Sequence, residues 1–193
     1  MKKFTYILLI AALGAVTLSS CGYNTMVEKQ EALTSQWGNV QNAYQRRADL
    51  IPTLAATVKG YATHEQETFT QVTEARAKAT QMNIGADDLT EEKLQQYQQT
   101  QGELSRALGR LLLIQENYPE LKANTNFLAL QDELAGTENR ISVERNKFNE
   151  TTQGYNQYIR KFPQVIYAGW FGFKTKAYFE AAQEAQSAPK VQF

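Results

Sequence analysis

The sequence predicts an all-α fold, an elongated antiparallel helical bundle of three to four long helices followed by an aromatic-rich C-terminal segment. Glycine and proline are scarce, at 11 and 4 of 193 residues, which favours helices over a β-sandwich. Apolar residues recur at intervals of three and four, the spacing that places them on one face of a helix. Because no helix can bury such a narrow stripe alone, the helices are expected to pack against one another.

The first helical pattern is long and contains a proline. From residue 24 to residue 79 the apolar face is nearly continuous, with Leu33, Trp37 and Val40 spaced by four and three. Pro52 interrupts this pattern, because proline removes a backbone donor and disfavours helical geometry in the residue before it. We therefore expect a kink or short break at residues 49–52. The bundle has four long helices if Pro52 divides the first, and otherwise three.

Two more helices are predicted after this pattern. Residues 81–92, QMNIGADDLTEE, form a connector that offers an aspartate or threonine as the next helix N-cap. Apolar residues then recur through 94–111, with Gln101 at one polar position, and Pro119 marks the end of that helix. The last helix has a heptad seam over 127–159. Its polar interruptions are Thr137, Glu144 and Thr152.

A bacterial lipoprotein signal is predicted at the N-terminus. Lys2 and Lys3 give a positive start, residues 4–16 are apolar, and the run Leu18-Ser19-Ser20-Cys21 resembles the lipobox, in which cleavage follows lipid transfer to the cysteine. Cys21 is the single cysteine of the chain, so it cannot close an intrachain disulfide and is expected to carry the lipid. The alternative is an uncleaved N-terminal transmembrane helix with an incidental cysteine. Both alternatives tether the chain to a membrane.

This signal sets the expected organisation and location of the chain. The predicted parts are a signal peptide at 1–20, a lipidated stub at 21–28, a helical bundle at 29–160, and the aromatic-rich segment with a short tail at 161–193. The bundle is expected outside the cytoplasm, on the membrane of a bacterial cell envelope. Gly22 follows the cysteine where an aspartate would favour the inner membrane, so the outer membrane is favoured.

The charge balance and the absence of several motifs exclude some function classes. The chain has 20 basic and 20 acidic residues, and removal of Lys2 and Lys3 leaves 18 against 20, a net charge near −2. Nucleic acid is therefore not expected as a partner, because its binders concentrate positive charge on one face. No phosphate-binding glycine loop, nucleophile elbow or zinc-protease motif is present in the sequence, so no cofactor and no catalytic residue are predicted.

Three phrases of the sequence carry a family resemblance. They are RRADLIPTLAATVKGYATHE at 46–65, ENYPELKANTNFLALQDELAGTENRI at 116–141 and FNETTQGYNQYIRKFP at 148–163. In this order they closely resemble the LemA family of bacterial membrane-associated proteins. The resemblance implies a helical bundle with an N-terminal membrane anchor and no defined reaction. Many relatives keep the N-terminal segment as a transmembrane helix where this sequence has a lipobox, and some branches are associated with membrane remodelling.

Polar residues typical of the family pattern are the candidate site residues. They are Arg46, Arg47, Asp49, Glu65, Arg76, Glu116, Asn117, Tyr118, Asn124, Glu138, Asn139, Arg140, Arg145, Asn149 and Asn156. We interpret them as structural or interaction residues that pair across helices, fix the helix register and satisfy backbone groups freed by Pro52 and Pro119. An enzyme hypothesis instead groups Glu116, Glu138 and Arg140 as a carboxylate and guanidinium cluster.

A metal site at His64 is a weaker hypothesis. Glu65 and Glu67 lie close to His64 in sequence, and Glu67 falls on the same side of a helix. No second histidine or free cysteine completes a transition-metal ligand set, so a solvated helix face and no bound metal are expected.

The aromatic-rich segment has two interpretations. Trp170, Phe171 and Phe173 either fold back over one end of the bundle or form a contact surface for membrane or protein, with basic residues at the rim. Folding back is the favoured expectation, because glycines let the chain wrap closely and many exposed aromatic side chains would promote aggregation. A further helix is expected at 174–186, before a frayed tail.

The sequence thus predicts a lipid-anchored, non-catalytic cell-envelope protein. Its expected role is that of a scaffold or adaptor that contacts an unidentified envelope protein. The alternative is a membrane-remodelling or membrane-stabilising protein that self-assembles on the bilayer. An unrecognised enzyme is the third interpretation.

Overall fold

The computed structural model describes the backbone of residues 2–180 and the side chains of residues 22–180. Cys21, the predicted signal peptide at 1–20 and the tail at 181–193 lie outside the described side chains. The helices are α1 (Lys2–Lys59), α2 (Gln66–Gln81), α3 (Glu91–Leu113), α4 (Pro119–Lys122), α5 (Thr125–Arg160) and α6 (Gln164–Ala168). Short 3₁₀ turns lie at Ala86–Asp88 and Ile114–Asn117. No strand occurs between residues 2 and 180, and the predicted all-α bundle is confirmed.

The antiparallel pair of α1 and α5 forms the main axis of the bundle. The two helices run in opposite directions, because earlier residues of α1 contact later residues of α5. Arg47 reaches Glu138, whereas the earlier Gln36 reaches the later Glu144. The 36 residues of α5 span about 54 Å. The hairpin of α2 and α3 packs beside this pair, and Gln101 of α3 donates to the carbonyl of Ala79 on α2.

The α1 helix continues through Pro52, so the predicted break at residues 49–52 is wrong. Proline has no N–H, which leaves the carbonyl of Ala48 without its usual intrahelical donor. Arg76 of α2 replaces that donor, because its Nε lies 2.8 Å from the Ala48 oxygen. The first two long helices are instead separated by the turn at residues 60–65.

Side chains and a proline define the helix ends, and the predicted aspartate or threonine cap before α3 is confirmed as Thr90. Thr90 caps α3, because its hydroxyl oxygen accepts the backbone N–H of Lys93 at 3.4 Å. Asn124 caps α5 in the same way, with its Oδ1 2.9 Å from the N–H of Phe127. Pro119 occupies the first turn of α4, where a missing N–H costs no helical hydrogen bond.

The core consists of two apolar clusters that lie at different heights along the bundle. The first is centred on Trp37, whose ring packs against Tyr97 and Phe148. The second contains Leu54, Leu104 and other residues of α1 to α5. The heptad seam of α5 lines both clusters. Its buried polar positions are Thr137, Glu144 and Thr152, as the spacing predicts.

A polar layer centred on Arg47 lies between the two apolar clusters. The Arg47 side chain is buried, with 1% exposure. Its Nη1 donates to the Ser105 hydroxyl at 2.7 Å and to Glu138 Oε1 at 2.8 Å, and its Nη2 donates to Gln101 Oε1 at 2.7 Å. The guanidinium also stacks over the Tyr44 ring, 5.2 Å from its centroid. One buried cation therefore joins α1, α3 and α5 at a fixed register.

We expect Arg47→Leu to lower the free energy of unfolding by about 1–3 kcal/mol, because it removes the Arg47 donor from the buried side-chain carbonyl of Gln101. Chemical denaturation followed by circular dichroism measures this change. Adding Gln101→Leu should recover part of the loss, since the unpaired acceptor is then removed as well.

Arg46→Leu is the matched control for Arg47→Leu. Arg46 is the neighbouring residue, but its pair with Glu133 at 3.1 Å joins side chains that are 69% and 44% exposed. Exposed pairs contribute less than about 1 kcal/mol, so this variant should change stability little. Equal effects of the two leucine variants would contradict the role assigned to the Arg47 layer.

Candidate functional site

The chain after α5 forms two segments with different structures. Residues 161–173, here called the elbow, include α6 and reverse the direction of the chain. Near the end of the elbow lies Gly172, whose φ of +80° suits glycine. Residues 174–180, here called the strap, are extended along the bundle. The predicted helix at 174–186 is therefore wrong for 174–180, and residues 181–186 lie outside the described part.

The strap is held by two asparagines of α5. Asn156 Nδ2 donates to the carbonyl of Lys176 at 2.8 Å, and its Oδ1 accepts the N–H of Lys176 at 2.9 Å. Asn149 makes the same pair of hydrogen bonds with the backbone of Phe179, at 2.9 and 2.8 Å. Each amide side chain thus satisfies one donor and one acceptor of the extended backbone, which a helix would have satisfied internally.

The end of the strap is part of the core. The Phe179 ring is buried and packs edge-to-face on Phe148, with 5.3 Å between centroids. Arg145 of α5 lies over this ring at 4.7 Å, and its Nη2 donates to the carbonyl of Glu180 at 3.0 Å. The strap therefore closes the first apolar cluster from outside.

Lys176 ties the strap to the connector before α3. Its Nζ donates to the carbonyls of Ala86 and Asp87 at 3.0 and 2.8 Å. Burial lowers the pKa of Lys176 below its ordinary value, although the nearby carboxylates of Asp87 and Asp88 act in the opposite direction. The N–H of Ala177 donates to the carbonyl of Leu89, so backbone and side chain both secure this contact.

The elbow packs against the start of the described part of α1. The Tyr23 ring contacts Phe171 and Phe173 edge-to-face, with centroid distances of 5.0 and 5.8 Å. Tyr167 lies against Gly22 so closely that a Cβ at residue 22 would overlap the Tyr167 hydroxyl. The elbow therefore packs against α1 at the residues that directly follow Cys21 in the sequence.

Several apolar side chains of the elbow face solvent. Phe162 is 81% exposed and Trp170 is 82% exposed. The expectation that Trp170 folds back over the bundle is therefore wrong. The three residues of the predicted contact surface differ in burial. Phe173 packs against the first apolar cluster, whereas Trp170 and Phe171 remain exposed. Val165 and Ile166 of α6 extend the exposed apolar surface.

A groove of about 580 Å³ runs between α1 and α5, with amide and charged side chains in its lining. Among the residues that line it are Asn39, Asn42, Arg46, Glu133, Arg140 and Glu144. The buried Glu144 carboxylate accepts a hydrogen bond from Gln36 Nε2 at 2.9 Å, which lowers the pKa of Glu144, and the nearby Lys147 and Arg140 act in the same direction. The amide, guanidinium and carboxylate side chains of this lining can form hydrogen bonds and ion pairs with a partner.

Most remaining family-pattern residues serve helix ends or surface pairs. Asp49 accepts from Gln45 at 2.7 Å, and Glu116 pairs with Lys122 at 2.9 Å. Tyr118 packs against the second apolar cluster. Glu65 is the residue before α2 and makes no side-chain cap hydrogen bond there. Asn117 and Asn139 are exposed.

The structure does not gather the cluster that the enzyme hypothesis requires. Glu138 pairs with Arg47, and Arg140 lies 3.5 Å from Glu144. Glu116 pairs separately with Lys122 of α4. His64 is exposed in the turn between α1 and α2. Among the described residues, no group of three or more histidine, cysteine, aspartate or glutamate side chains could hold a metal ion.

Asn149 and Asn156 are among the predicted family-pattern residues, but the extended strap that they hold is not predicted from the sequence. Their seven-residue spacing places both asparagines on one face of α5, which is the available sequence signal that they contact the same neighbour. The contribution of Lys176 was also missed, because it depends on the contact between residues about 90 positions apart.

Comparison with known proteins identifies one matching family model and several similar proteins. A sequence model described as "LemA family" matches residues 36–193. Magnetosome protein MamQ 2 of Paramagnetospirillum magneticum is 25% identical over 175 residues, which cover 82% of this chain and 64% of the relative. Magnetosome protein MamQ of Magnetospirillum gryphiswaldense is 26% identical over 174 residues, which cover 81% and 64%. Protein LemA of Metamycoplasma hominis is 25% identical over 172 residues, which cover 88% and 72%.

The chain spans less than two thirds of the length of the MamQ relatives. Within the residues that the structure describes, no helix combines the length and the apolar character needed to cross a membrane.

We expect Asn156→Ala to release the middle of the strap, because it removes both hydrogen bonds to the backbone of Lys176. Hydrogen exchange should show faster exchange at the Lys176 amide, and unfolding free energy should fall by about 1–3 kcal/mol. Asn139→Ala, an exposed asparagine of the same helix, is the matched control and should change neither measurement. Unchanged protection of Lys176 in Asn156→Ala would show that the strap does not depend on this contact.

Stability should fall with acid in part through Glu144. Its pKa lies below the ordinary value of 4.5 in the folded state, so its contribution is present above that pH and is lost as pH falls below it. We expect Glu144→Gln to flatten the loss of unfolding free energy between about pH 5 and 3, measured by denaturation at each pH. Gln36→Leu should flatten it as well, because Gln36 donates the hydrogen bond with the largest effect. Parallel curves for all three proteins would contradict this assignment.

Proposed function

The chain belongs to the LemA family, and from this we propose that it is a membrane-anchored, non-catalytic protein of the bacterial cell envelope that acts as a scaffold or adaptor. Under this proposal Cys21 carries a lipid, and the bundle lies outside the cytoplasm, at the outer membrane in preference to the inner. The chain acts by contact with an unidentified envelope protein and needs no cofactor.

The proposal rests on what the polar family-pattern residues contact. The ion pair of Arg47 and Glu138 joins α1 to α5, and Arg76 donates to a backbone carbonyl of α1. Asn149 and Asn156 bind the backbone of the strap. General acid–base catalysis requires paired groups that converge on a cleft. Here the same residue types are spread along the bundle and bind other parts of the protein, which supports a contact role.

The groove between α1 and α5 is the proposed surface for a protein partner. It lies on the main axis of the bundle and offers amides and both signs of charge, including Asn39, Asn42 and Arg46. Such a surface suits a polar partner that forms hydrogen bonds and ion pairs in a partly hydrated interface.

One observation favours the alternative, in which the protein self-assembles on the bilayer to remodel or stabilise it. Apolar side chains are exposed on the elbow beside the residue that follows Cys21. Two of the relatives described above are named magnetosome proteins, which is compatible with either role.

The two roles differ in what co-purifies with the protein. We expect a tagged wild-type chain, extracted gently from native membranes, to recover a stoichiometric envelope protein that is absent with Cys21→Ser. The physical reason is that anchoring confines the bundle to the surface where its partner resides. Quantitative mass spectrometry of the two preparations measures the difference.

Circular dichroism of Cys21→Ser serves as the control that the bundle still folds. Recovery of the chain alone, or only with further copies of itself, would contradict the adaptor role and support self-assembly. Equal recovery of the partner with both proteins would contradict the need for the anchor.

A further inference from the structure

We propose that the elbow is a bilayer-docking site, at which Phe162, Trp170 and Phe171 enter the lipid headgroup and upper acyl region beside the anchor. This inference rests on the proposed membrane association. It goes further by assigning a second point of membrane contact to named side chains of the bundle itself.

The position of the elbow is the first part of the argument. Tyr167 packs on Gly22, and Phe171 packs on Tyr23. Both α1 residues directly follow Cys21, and the apolar run at 4–16 precedes it. Whether the tether is a lipid on Cys21 or an apolar helix, the elbow lies within a few residues of the membrane surface.

The exposed apolar surface is the second part. Phe162 and Trp170 are almost fully exposed, and Phe171, Val165 and Ile166 are each at least half exposed. Five apolar side chains in ten consecutive residues form a larger exposed set than a water-facing surface requires. Isolated exposed apolar residues elsewhere, such as Leu113 and Val143, have no comparable neighbours in the chain.

The charge and residue types fit a bilayer interface. From the end of α5 to the end of the strap, residues 160–180, the basic residues are Arg160, Lys161, Lys174 and Lys176. The one acidic residue, Glu180, is the last residue of the strap, and the elbow itself has none. Lys176 binds the backbone of the connector, while the other three basic residues are exposed around the elbow. Tryptophan is enriched at the headgroup level, and basic side chains are attracted to anionic lipid. A lipid surface therefore suits this patch better than a protein with a matching apolar surface.

The fold also holds the elbow in place. The strap that follows it is fixed to α5 by Asn149 and Asn156 and to the connector by Lys176. The Tyr155 hydroxyl donates to the carbonyl of Lys174 at 3.0 Å, at the junction of elbow and strap. The exposed side chains are thus presented from a segment that is held at both ends.

Trp170 is a built-in reporter for this contact, since the other tryptophan, Trp37, is buried in the core. The full-length anchored protein is reconstituted into vesicles of phosphatidylethanolamine and phosphatidylglycerol and recovered by flotation. Lipids brominated in the upper acyl chain and aqueous iodide then serve as separate quenchers. Subtracting the emission of Trp170→Phe isolates the signal of Trp170.

We expect the emission of Trp170 to shift to shorter wavelength, to be quenched by the brominated lipid and to be protected from iodide. The matched control moves the reporter to the opposite end of the bundle, in the variant Trp170→Phe with Leu113→Trp. Leu113 is exposed at the end of α3, so its replacement should be quenched by iodide and not by brominated lipid.

Each other outcome overturns the proposal in a distinguishable way. A floated protein whose Trp170 stays open to iodide and unaffected by brominated lipid retains its anchor but does not dock the elbow. Shielding from both quenchers would assign the patch to a second copy or another protein. A protein that does not float with the vesicles would overturn membrane association and elbow docking together.

Discussion

The buried charge of Arg47 constrains the rest of this bundle. A guanidinium in an apolar core is costly unless most of its donors are satisfied. Here α3 and α5 supply acceptors for both Nη groups, while the buried Nε has no hydrogen-bond partner. The two apolar clusters lie on either side of this layer, so a shift of one helix along another would separate the cation from its partners. Long helices with repeating apolar seams are prone to such shifts, and a single polar layer prevents them because it fixes the register of the helices.

The C-terminal strap also depends on side chains that supply partners for polar groups. An extended segment beside a helix leaves its backbone donors and acceptors unpaired unless side chains supply partners. Asn149 and Asn156 do so in pairs, and Phe179 adds apolar burial to the first cluster. The elbow is thereby connected to the core on one side by the strap and on the other by α5. Its exposed side chains project from a well-supported structure.

Stability and the proposed function depend largely on different parts of the molecule. Glu144 belongs to both, because it accepts a hydrogen bond from Gln36 and also lines the groove. The polar family-pattern residues mostly satisfy one another or the backbone, while the groove between α1 and α5 and the elbow remain available for contacts. Arg46 and Arg47 illustrate this division, because two adjacent arginines of one helix have opposite surroundings. One lines an open groove, and the other is enclosed by three helices.

The sequence alone determined the helices that apolar spacing and end chemistry define, including the α5 seam with its buried Thr137, Glu144 and Thr152. It also placed an aspartate or threonine cap before α3, and the structure uses Thr90. Periodicity and caps are local, so they can be identified in a single chain. The passage of α1 through Pro52 was decided by tertiary structure, because Arg76 from another helix replaces the missing donor. So was the extended strap, whose backbone partners come from distant residues. The exposure of Trp170 also depended on the whole fold, since burial is set by what packs around a side chain and not by the side chain's own hydrophobicity.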